Sequence, residues 1–407
     1  MISETVSASR ASLRSMLDFA WATGVFVSTE AMEATGLTRS TAISALDELI
    51  DLGLLRELPN ARAVGGEYSK GRPSRRFELD ADAAVVVGVD AGRSHLTTMV
   101  ADLRGEPLAR CTVELDAGHE DAGQRRAAVQ RAIDAALTAA GRSRHAVLAV
   151  CVGVPAPVNS VGISPTQRDG FWRRMNPDLR GLLEEWAPIV RVENDAALAA
   201  VAEGAVGAAV GLRDFVVLLA GHRLGAGVVV DGHLLRGVHG GVGEMRAFDF
   251  VSGVGSAAGI GLLLTDWVAQ AAADGQIPAG HVLTSVPSDR MTGRLVLDLA
   301  RSGDAWATSL VERAGGVLAR ITAVFGSLYD PERVIVAGAI ADGLAEVLDV
   351  ARALLPGEVD VPAPELSLSS LGGTSVVTGA VSAALDAARA DVLRVGLGES
   401  AASRAAV

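Results

Sequence analysis

Over the first eighty positions, apolar residues recur at the three-to-four spacing of a helix face. Between Ala11 and Ala22, Leu13, Met16, Leu17 and Ala20 share one side and predict a first helix. Ser28 or Thr29 can accept the free amides at the start of a second, Glu30 suits its dipole, and Gly36 supplies a left-handed stop. Thr38 then caps a third helix, with Ile43, Leu46, Leu49 and Ile50 on its apolar side and Arg39, Ser40 and Ser44 on the other. After Gly53 the period changes. Leu54–Leu58 and Arg75–Leu79 read as two short strands around a loose tip, a wing on a helix-turn-helix.

From Val85 onward, continuous apolar runs alternate with helical stretches. Val85–Val89 is uninterrupted, as suits a strand buried on both faces. Leu96–Ala101, Leu108–Leu115, Val147–Val152, Ile189–Val192, Phe215–Ala220, Gly227–Val230 and Val334–Ala337 read as further strands. Ala122–Ala140, Ala196–Val206, Trp306–Leu328 and Gly379–Leu393 read as helices. The class is α/β, in two similar lobes. The expected division is a head over residues 1–82, a body over 83–393 and a tail over 394–407. Within the body, 83–192 plus 380–393 make the smaller lobe and 193–379 the larger.

At 407 residues the chain is too long for one core, and 49% apolar with 21% charged residues excludes disorder. Its 36 basic against 48 acidic residues give a charge of -12, so the molecule as a whole repels phosphate. Any nucleic-acid surface must be a local patch. Arg56–Arg76 is one: Arg56, Arg62, Lys70, Arg72, Arg75 and Arg76 against Glu57 and Glu67 give 6 minus 2, or +4. Cys111 and Cys151 lie in strand-like runs and read as reduced core thiols. Met1–Phe19 has no signal-peptide pattern and no run approaches a membrane span, so a cytosolic protein without membrane contact is expected.

Arg39, Ser40, Thr41 and Ser44, in the first turns of the third helix, can reach phosphates and base edges in a major groove. Lys70, Arg72 and Arg75 would add wing contacts, and Lys70-Gly71-Arg72-Pro73 can set Arg72 in a narrow A/T minor groove. The competing reading is a small helical cap with a solvated face, which Asp47 and Glu48 support. Those acids lie in later turns, away from the groove end.

Three glycine turns follow strands: Val87 to Ser94, Ala220 to Gly227, and Asp330-Pro331 leading into Val334 to Ala339. Each alone is a weak phosphate signal. Between them, Val192-Glu193-Asn194-Asp195 runs from a strand end into a helix start. There Asp195 can act as base or hydroxyl acceptor, and Asn194 as donor and acceptor. Glu244 adds a carboxylate on the glycine-rich loop that begins at Gly240.

Taken in this order, from about residue 8 to about residue 393, the features resemble the ROK family of repressors and sugar kinases. The resemblance implies a winged helix-turn-helix joined to a two-lobed, actin-like, hexokinase-type (ribonuclease H-like) sugar domain. It makes Asp90–Ser94 the first phosphate loop, Gly221–Gly227 the second and Val334–Ala339 the nucleotide-side strand. It makes Asn194 and Asp195 the sugar-binding pair, Asp195 being the base in kinases, and Glu244 a sugar contact. Gly153, Val154 and Pro155 would lie near the sugar, and Trp172–Pro177 over the pocket.

Departures from the family pattern carry equal weight. Arg93 and Ser94 stand where kinases have glycine and threonine, and His222 and Arg223 stand where threonine and glycine are expected. Backbone amides must approach phosphates closely, so these side chains disfavour ATP and kinase activity is expected to be lost. The family zinc motif, a glutamate and a histidine followed by three cysteines, is missing: Ala247 replaces the histidine and 249–255 holds no cysteine. No zinc or other cofactor is expected, and either packing through Phe248, Phe250 and Val251 holds that loop instead or the loop is mobile.

The leading expectation is a transcription regulator, most simply a repressor. Its partners would be a double-stranded DNA operator, a sugar or phosphosugar effector, and copies of itself in a homodimer or homotetramer. The alternatives are an ATP-dependent sugar kinase using Asp195 as base, and a DNA-binding scaffold that ignores sugars.

Overall fold

Helix α1 (Ile2–Ala22) buries Leu13, Met16, Leu17 and Ala20, the face expected from their spacing. The computed structural model describes residues 2–59, 75–115, 121–256 and 258–397. Strand β1 (Phe26–Val27) leads into α2 (Ser28–Thr35), whose first amides receive no side-chain cap from Ser28 or Thr29. The capping contact runs the other way: the Val27 N–H donates to Glu30 Oε2 at 2.9 Å. Gly36 stops the helix at φ 68°, a left-handed conformation that costs glycine no Cβ clash. Thr38 caps α3 (Arg39–Asp51), its hydroxyl accepting from the Thr41 N–H. The buried stripe of α3 is Ala42, Ala45, Leu46 and Leu49, rotated from the expected one, so that Ile43 and Ile50 lie at its margins. β2 (Leu55–Leu58) and β3 (Arg76–Leu79) pair antiparallel as the wing, and β1 adds to β3 in a three-stranded sheet.

The next sheet uses β4 (Val85–Ala91), β5 (His95–Asp102) and β6 (Pro107–Glu114), with α4 (Ala122–Ala139) crossing to β7 (Val147–Val154). Short helices α5 (Phe171–Met175) and α6 (Leu179–Glu184) precede β8 (Ile189–Asn194), giving the order β6-β5-β4-β7-β8. The first three strands are antiparallel neighbours; β4, β7 and β8 run parallel.

Helix α7 (Asp195–Val206) leads to the second sheet: β9 (Phe215–Ala220), β10 (Leu224–Val230), β11 (His233–Leu234), β12 (Arg333–Ala337) and β13 (Glu365–Leu368). Its order β11-β10-β9-β12-β13 repeats the antiparallel-then-parallel plan of the first. Between β11 and β12 lie α8 (Ile260–Ala273), α9 (Gly293–Arg301) and α10 (Ala305–Tyr329). α11 (Ala345–Leu354) precedes β13, and α12 (Ser375–Val395) returns to cover β4 and β7.

Cys151 is buried in β7, where loss of water pushes its thiol pKa up; Cys111 on β6 is half-buried, and both are free thiols. No described helix is long and apolar enough to cross a membrane.

Candidate functional site

On the amino-terminal face, Arg39, Ser40 and Ser44 are exposed and Thr41 is half-buried. Their hydroxyls form a small set around the cap, Thr38 Oγ1 lying 3.2 Å from Ser40 Oγ and 2.9 Å from Thr41 Oγ1. Lys70 and Arg72 lie outside the described residues. Arg75 is exposed but already paired: its guanidinium bonds Asp47 on α3 and Glu57 on β2, both at 2.8 Å, and lies 5.0 Å from the centre of the Phe77 ring. These acids hold its pKa above the usual arginine value. Arg75 thus ties the wing to α3, and the same contact neutralises Asp47, one of the two acids that counted against a DNA-binding face. Arg56 is likewise paired, with Glu78 at 2.6 Å.

The cleft between the two sheets gathers carboxylates. Asp90, next to last in β4, is 6% exposed and accepts a hydrogen bond at 3.1 Å from His95 Nε2, which holds the imidazole pKa above its ordinary value. Asp195 opens α7, its Oδ1 accepting from the Ala196 N–H at 2.8 Å. Crowding protein strips water from this carboxyl, and repulsion from Asp90 and then Glu244 adds to the effect, pushing its pKa up to about 7. Loss of water also raises Glu244, against the opposing charge of Arg223.

Asn194 is more committed to the fold than expected. Its Oδ1 accepts from the Ala197 N–H at 3.0 Å as the cap of α7, and its Nδ2 donates to the Ala156 carbonyl at 3.2 Å. One N–H is left for a ligand. Asp195 near its midpoint at neutral pH can accept a hydroxyl hydrogen bond or donate one, so the cleft suits a hydroxyl-rich ligand.

A raised carboxyl pKa favours the folded state only while it holds its proton, so its stability contribution falls as pH rises from about 4 through 7. Asp195→Asn removes that titration. Thermal unfolding is expected to show the variant more stable than the parent at pH 8, by roughly 4 kcal/mol, with little difference at pH 4.

The second glycine turn differs from the sequence expectation. Only Gly221, His222 and Arg223 form a turn; Gly225 and Gly227 lie inside β10. A Cβ on Gly227 would stand 2.3 Å from the Ala196 carbonyl oxygen and 2.6 Å from the Ala200 Cβ. This glycine lets α7 press on β10 and so sets the depth of Asp195, instead of cradling a phosphate.

At the first turn, the His95 ring packs on Gly92, 2.6 Å from where a Cβ would be, and the Arg93 guanidinium lies 5.9 Å from the centre of the Phe171 ring. Arg125, which the sequence reading passed over, is fully buried behind this turn. It donates to the carbonyls of Ala91 and Gly92 (3.1 Å for Gly92) and, through Nε, to Met175 at 2.9 Å. Loss of water pulls its pKa down to about 10, with Asp90 resisting. A signal was present: Arg125 occupies the apolar stripe of α4 that continues through Val129, Ala132, Ile133 and Ala136.

The segment after Glu244 is a short 3-10 helix, Met245–Phe250. Phe248 is buried and stacks on Phe325 with ring centres 5.7 Å apart, and Val251 packs beside the same core. Phe250 does not join them: it is 81% exposed, because the helical turn that buries Phe248 points position 250 outward. Asp249 is bonded to Arg246 at 3.0 Å, and the segment offers no imidazole or thiolate to zinc. Among the described residues no group of three or more His, Cys, Asp or Glu is placed to hold a metal ion.

The xylose repressor of Bacillus spizizenii is 23% identical over 361 residues, spanning 83% of this chain and 88% of that protein. A ROK family transcriptional regulator described as a homologue of the E. coli MLC protein superposes with a TM-score of 0.71 at 21% identity, covering 90% of this chain and 93% of that one. The ROK family glucokinase from Streptomyces griseus, with glucose and AMPPNP, gives 0.59 at 26% identity, covering 74% of this chain and all of that one (100%). The ROK family model itself matches residues 86–387, which take in both sheets, Asp90, Asp195 and Glu244, and the chain belongs to the ROK family.

Proposed function

We propose that this protein is a sugar-responsive, DNA-binding transcription regulator of the repressor type, acting in the cytosol. Residues 1–82 serve as the DNA-binding head and 83–393 as the sensing body, with residues 83–192 and 380–393 as its smaller lobe, 193–379 as its larger lobe, and 394–407 as a tail. The observation that carries the reading is α3, capped by Thr38 and braced by Arg75, with Arg39, Ser40 and Ser44 left open at its first turns. Thr41 stands at the edge of that face, and Lys70 and Arg72 of the wing supply further phosphate and minor-groove contacts. The likeness to a xylose repressor over 83% of this chain supports it.

In the body, Asp195 and Glu244 bind hydroxyls of a sugar, with Asn194 lending its one spare N–H. The crowd of carboxylates around Asp195 suits a neutral sugar better than a phosphosugar at that position. Ligand binding shifts the lobes and with them the spacing of two heads in a homodimer.

ATP fits poorly. The first turn is closed by the His95 ring, and the second carries His222 and Arg223 on its exposed edge. The competing reading, an ATP-dependent hexose kinase with Asp195 as base, rests on the likeness to the glucokinase. An ADP-release assay against common hexoses separates the two, since turnover abolished by Asp195→Asn would reject the regulator reading.

The direct test is DNA binding by fluorescence anisotropy on operator sequences selected from genomic fragments. Arg39→Ala is expected to weaken binding about tenfold and to flatten the salt dependence by about one phosphate contact. Adding the effector sugar should weaken binding of the parent protein, whereas an unchanged affinity across a broad sugar panel would favour a scaffold that ignores sugars.

A further inference from the structure

The Asp195 and Glu244 carboxylates belong to different sheets. Asp195 follows β8 of the first, whereas Glu244 bridges to Gly225 on β10 of the second. Their spacing therefore depends on whatever joins the two sheets at this point, and residues 236–243 make that join.

The far end of this segment is seated on β10. Gly243, at φ 87°, accepts from the Ala226 N–H at 3.0 Å, and a Cβ on it would run into the Ala226 carbonyl oxygen. The near end is tied to the first sheet instead. Arg236 Nε lies 3.1 Å from both carboxylate oxygens of Glu193, the residue immediately before Asn194 on β8. Between the two ends, Gly240 is buried at φ 73° and rests on the Val158 backbone just beyond β7, too close to leave room for a Cβ.

The segment is also braced internally, the Val242 N–H donating to the Arg236 carbonyl and the Gly240 N–H to the Gly237 carbonyl, both at 3.2 Å. A displacement of Arg236 is thus carried along to Gly243 and Glu244. The Glu193 side chain is 18% exposed and makes no other hydrogen bond among the described residues. Arg191, two positions back on β8, is no substitute for Arg236: it belongs to the first sheet itself, so pairing it with Glu193 would join nothing.

We propose that Arg236 is a positioning residue: through Glu193 it clamps residues 236–243 to the end of β8 and so fixes the gap between Asp195 and Glu244 before a ligand enters. That the gap receives a sugar rests on the reading above. Without the clamp the segment still hangs from β10 at Gly243, but Glu244 no longer keeps a set distance from Asp195. A ligand that needs both carboxylates then binds only the fraction of molecules with the correct gap, and its apparent affinity falls by that fraction.

Amide hydrogen exchange of the full chain without ligand, read by mass spectrometry, tests the clamp directly. Arg236→Met keeps an unbranched stem and removes the charge; exchange in peptides spanning 236–244 should quicken at least fivefold. Exchange in α10 should be unchanged and the melting temperature should stay within about 2 °C of the parent, because an exposed ion pair adds little to global stability. Arg236→Lys returns a cation and should recover most of the protection. Glu193→Gln should match Arg236→Met, and combining the two should add nothing further, since both remove the same contact. Calorimetric titration with D-glucose, D-mannose and D-galactose supplies the second readout. For a sugar that the parent binds, Arg236→Met should weaken affinity about fivefold and Arg236→Lys less than twofold.

Unchanged exchange in Arg236→Met, additive effects in the double variant, a loss that lysine does not repair, or faster exchange with sugar affinity unmoved would each overturn the proposal. A parent protein that binds no sugar would strike the regulator reading, while the exchange of the ligand-free chain would still decide whether Arg236 holds the gap.

Discussion

Gly227→Ala is expected to lower stability by about 3 kcal/mol and to abolish the response to the effector sugar. The new methyl would meet the Ala196 carbonyl oxygen at 2.3 Å and the Ala200 Cβ at 2.6 Å, and neither belongs to a flexible side-chain end. Overpacking of this kind is relieved only by moving backbone. The part that must move is the first turn of α7, which carries Asp195. Gly225→Ala is the internal control, since its Cβ would meet only the Ala196 Cβ, at 3.1 Å, a contact that a shift of a few tenths of an ångström relieves. Denaturant unfolding together with sugar-dependent thermal shift checks both. A Gly227→Ala protein of parental stability and response would show that α7 is not seated against β10 as described.

Arg125→Met should be comparably damaging, at about 3 kcal/mol, for an electrostatic reason. The guanidinium is fully buried and answers the carbonyls of Ala91, Gly92 and Met175. Methionine fills much of the volume and leaves those acceptors dry and unpaired, which costs about 1–3 kcal/mol for each buried group left without a partner. It also removes a positive charge that acts on both Asp90 and His95. With that charge gone, the His95 imidazole, which Arg125 pushes down, should titrate at higher pH. Proton NMR of His95 across pH 5–9 reads this second effect separately from the loss of stability, and a His95 titration unmoved or shifted down would contradict it.

Much of this organisation could be read from the chain because local and tertiary preferences agree. Phe215–Ala220 is an unbroken apolar run that ends up central in its sheet, and Thr38 caps the helix its position announces. Asp195 stands where a strand end meets a helix start, and both elements have strong patterns of their own. α8 went unassigned because Ile260–Ala273 is apolar on almost every side and lacks a polar stripe to set its period. β1, with two residues, is too short to show alternation; only its pairing with β3 makes it a strand.

The glycines of β10 were misread for a different reason. A glycine-rich stretch after a strand has the same appearance whether it admits a phosphate or a neighbouring helix, and only the path of α7 distinguishes them. Arg125 escaped because a charged residue within an apolar stripe is ordinarily solvated; here three carbonyls surround it. Arg75 counted toward a basic arm, yet its charge is spent on Asp47 and Glu57.

The seam between α1 and the rest of the chain limits how this protein can be re-engineered. Arg104, in the turn between β5 and β6, donates to the carbonyls of Trp21 and Thr23 at the end of α1, both at 2.7 Å; Arg14 donates to the Arg389 and Ala390 carbonyls near the end of α12, and Arg389 pairs with Asp18 at 2.9 Å. A chimera cut at residue 82 would carry a foreign first helix to three arginine-centred contacts it was never selected to meet. Exchange of operator preference between relatives therefore calls for transplanting α3 and the wing alone, leaving α1 as native stock onto which they are grafted.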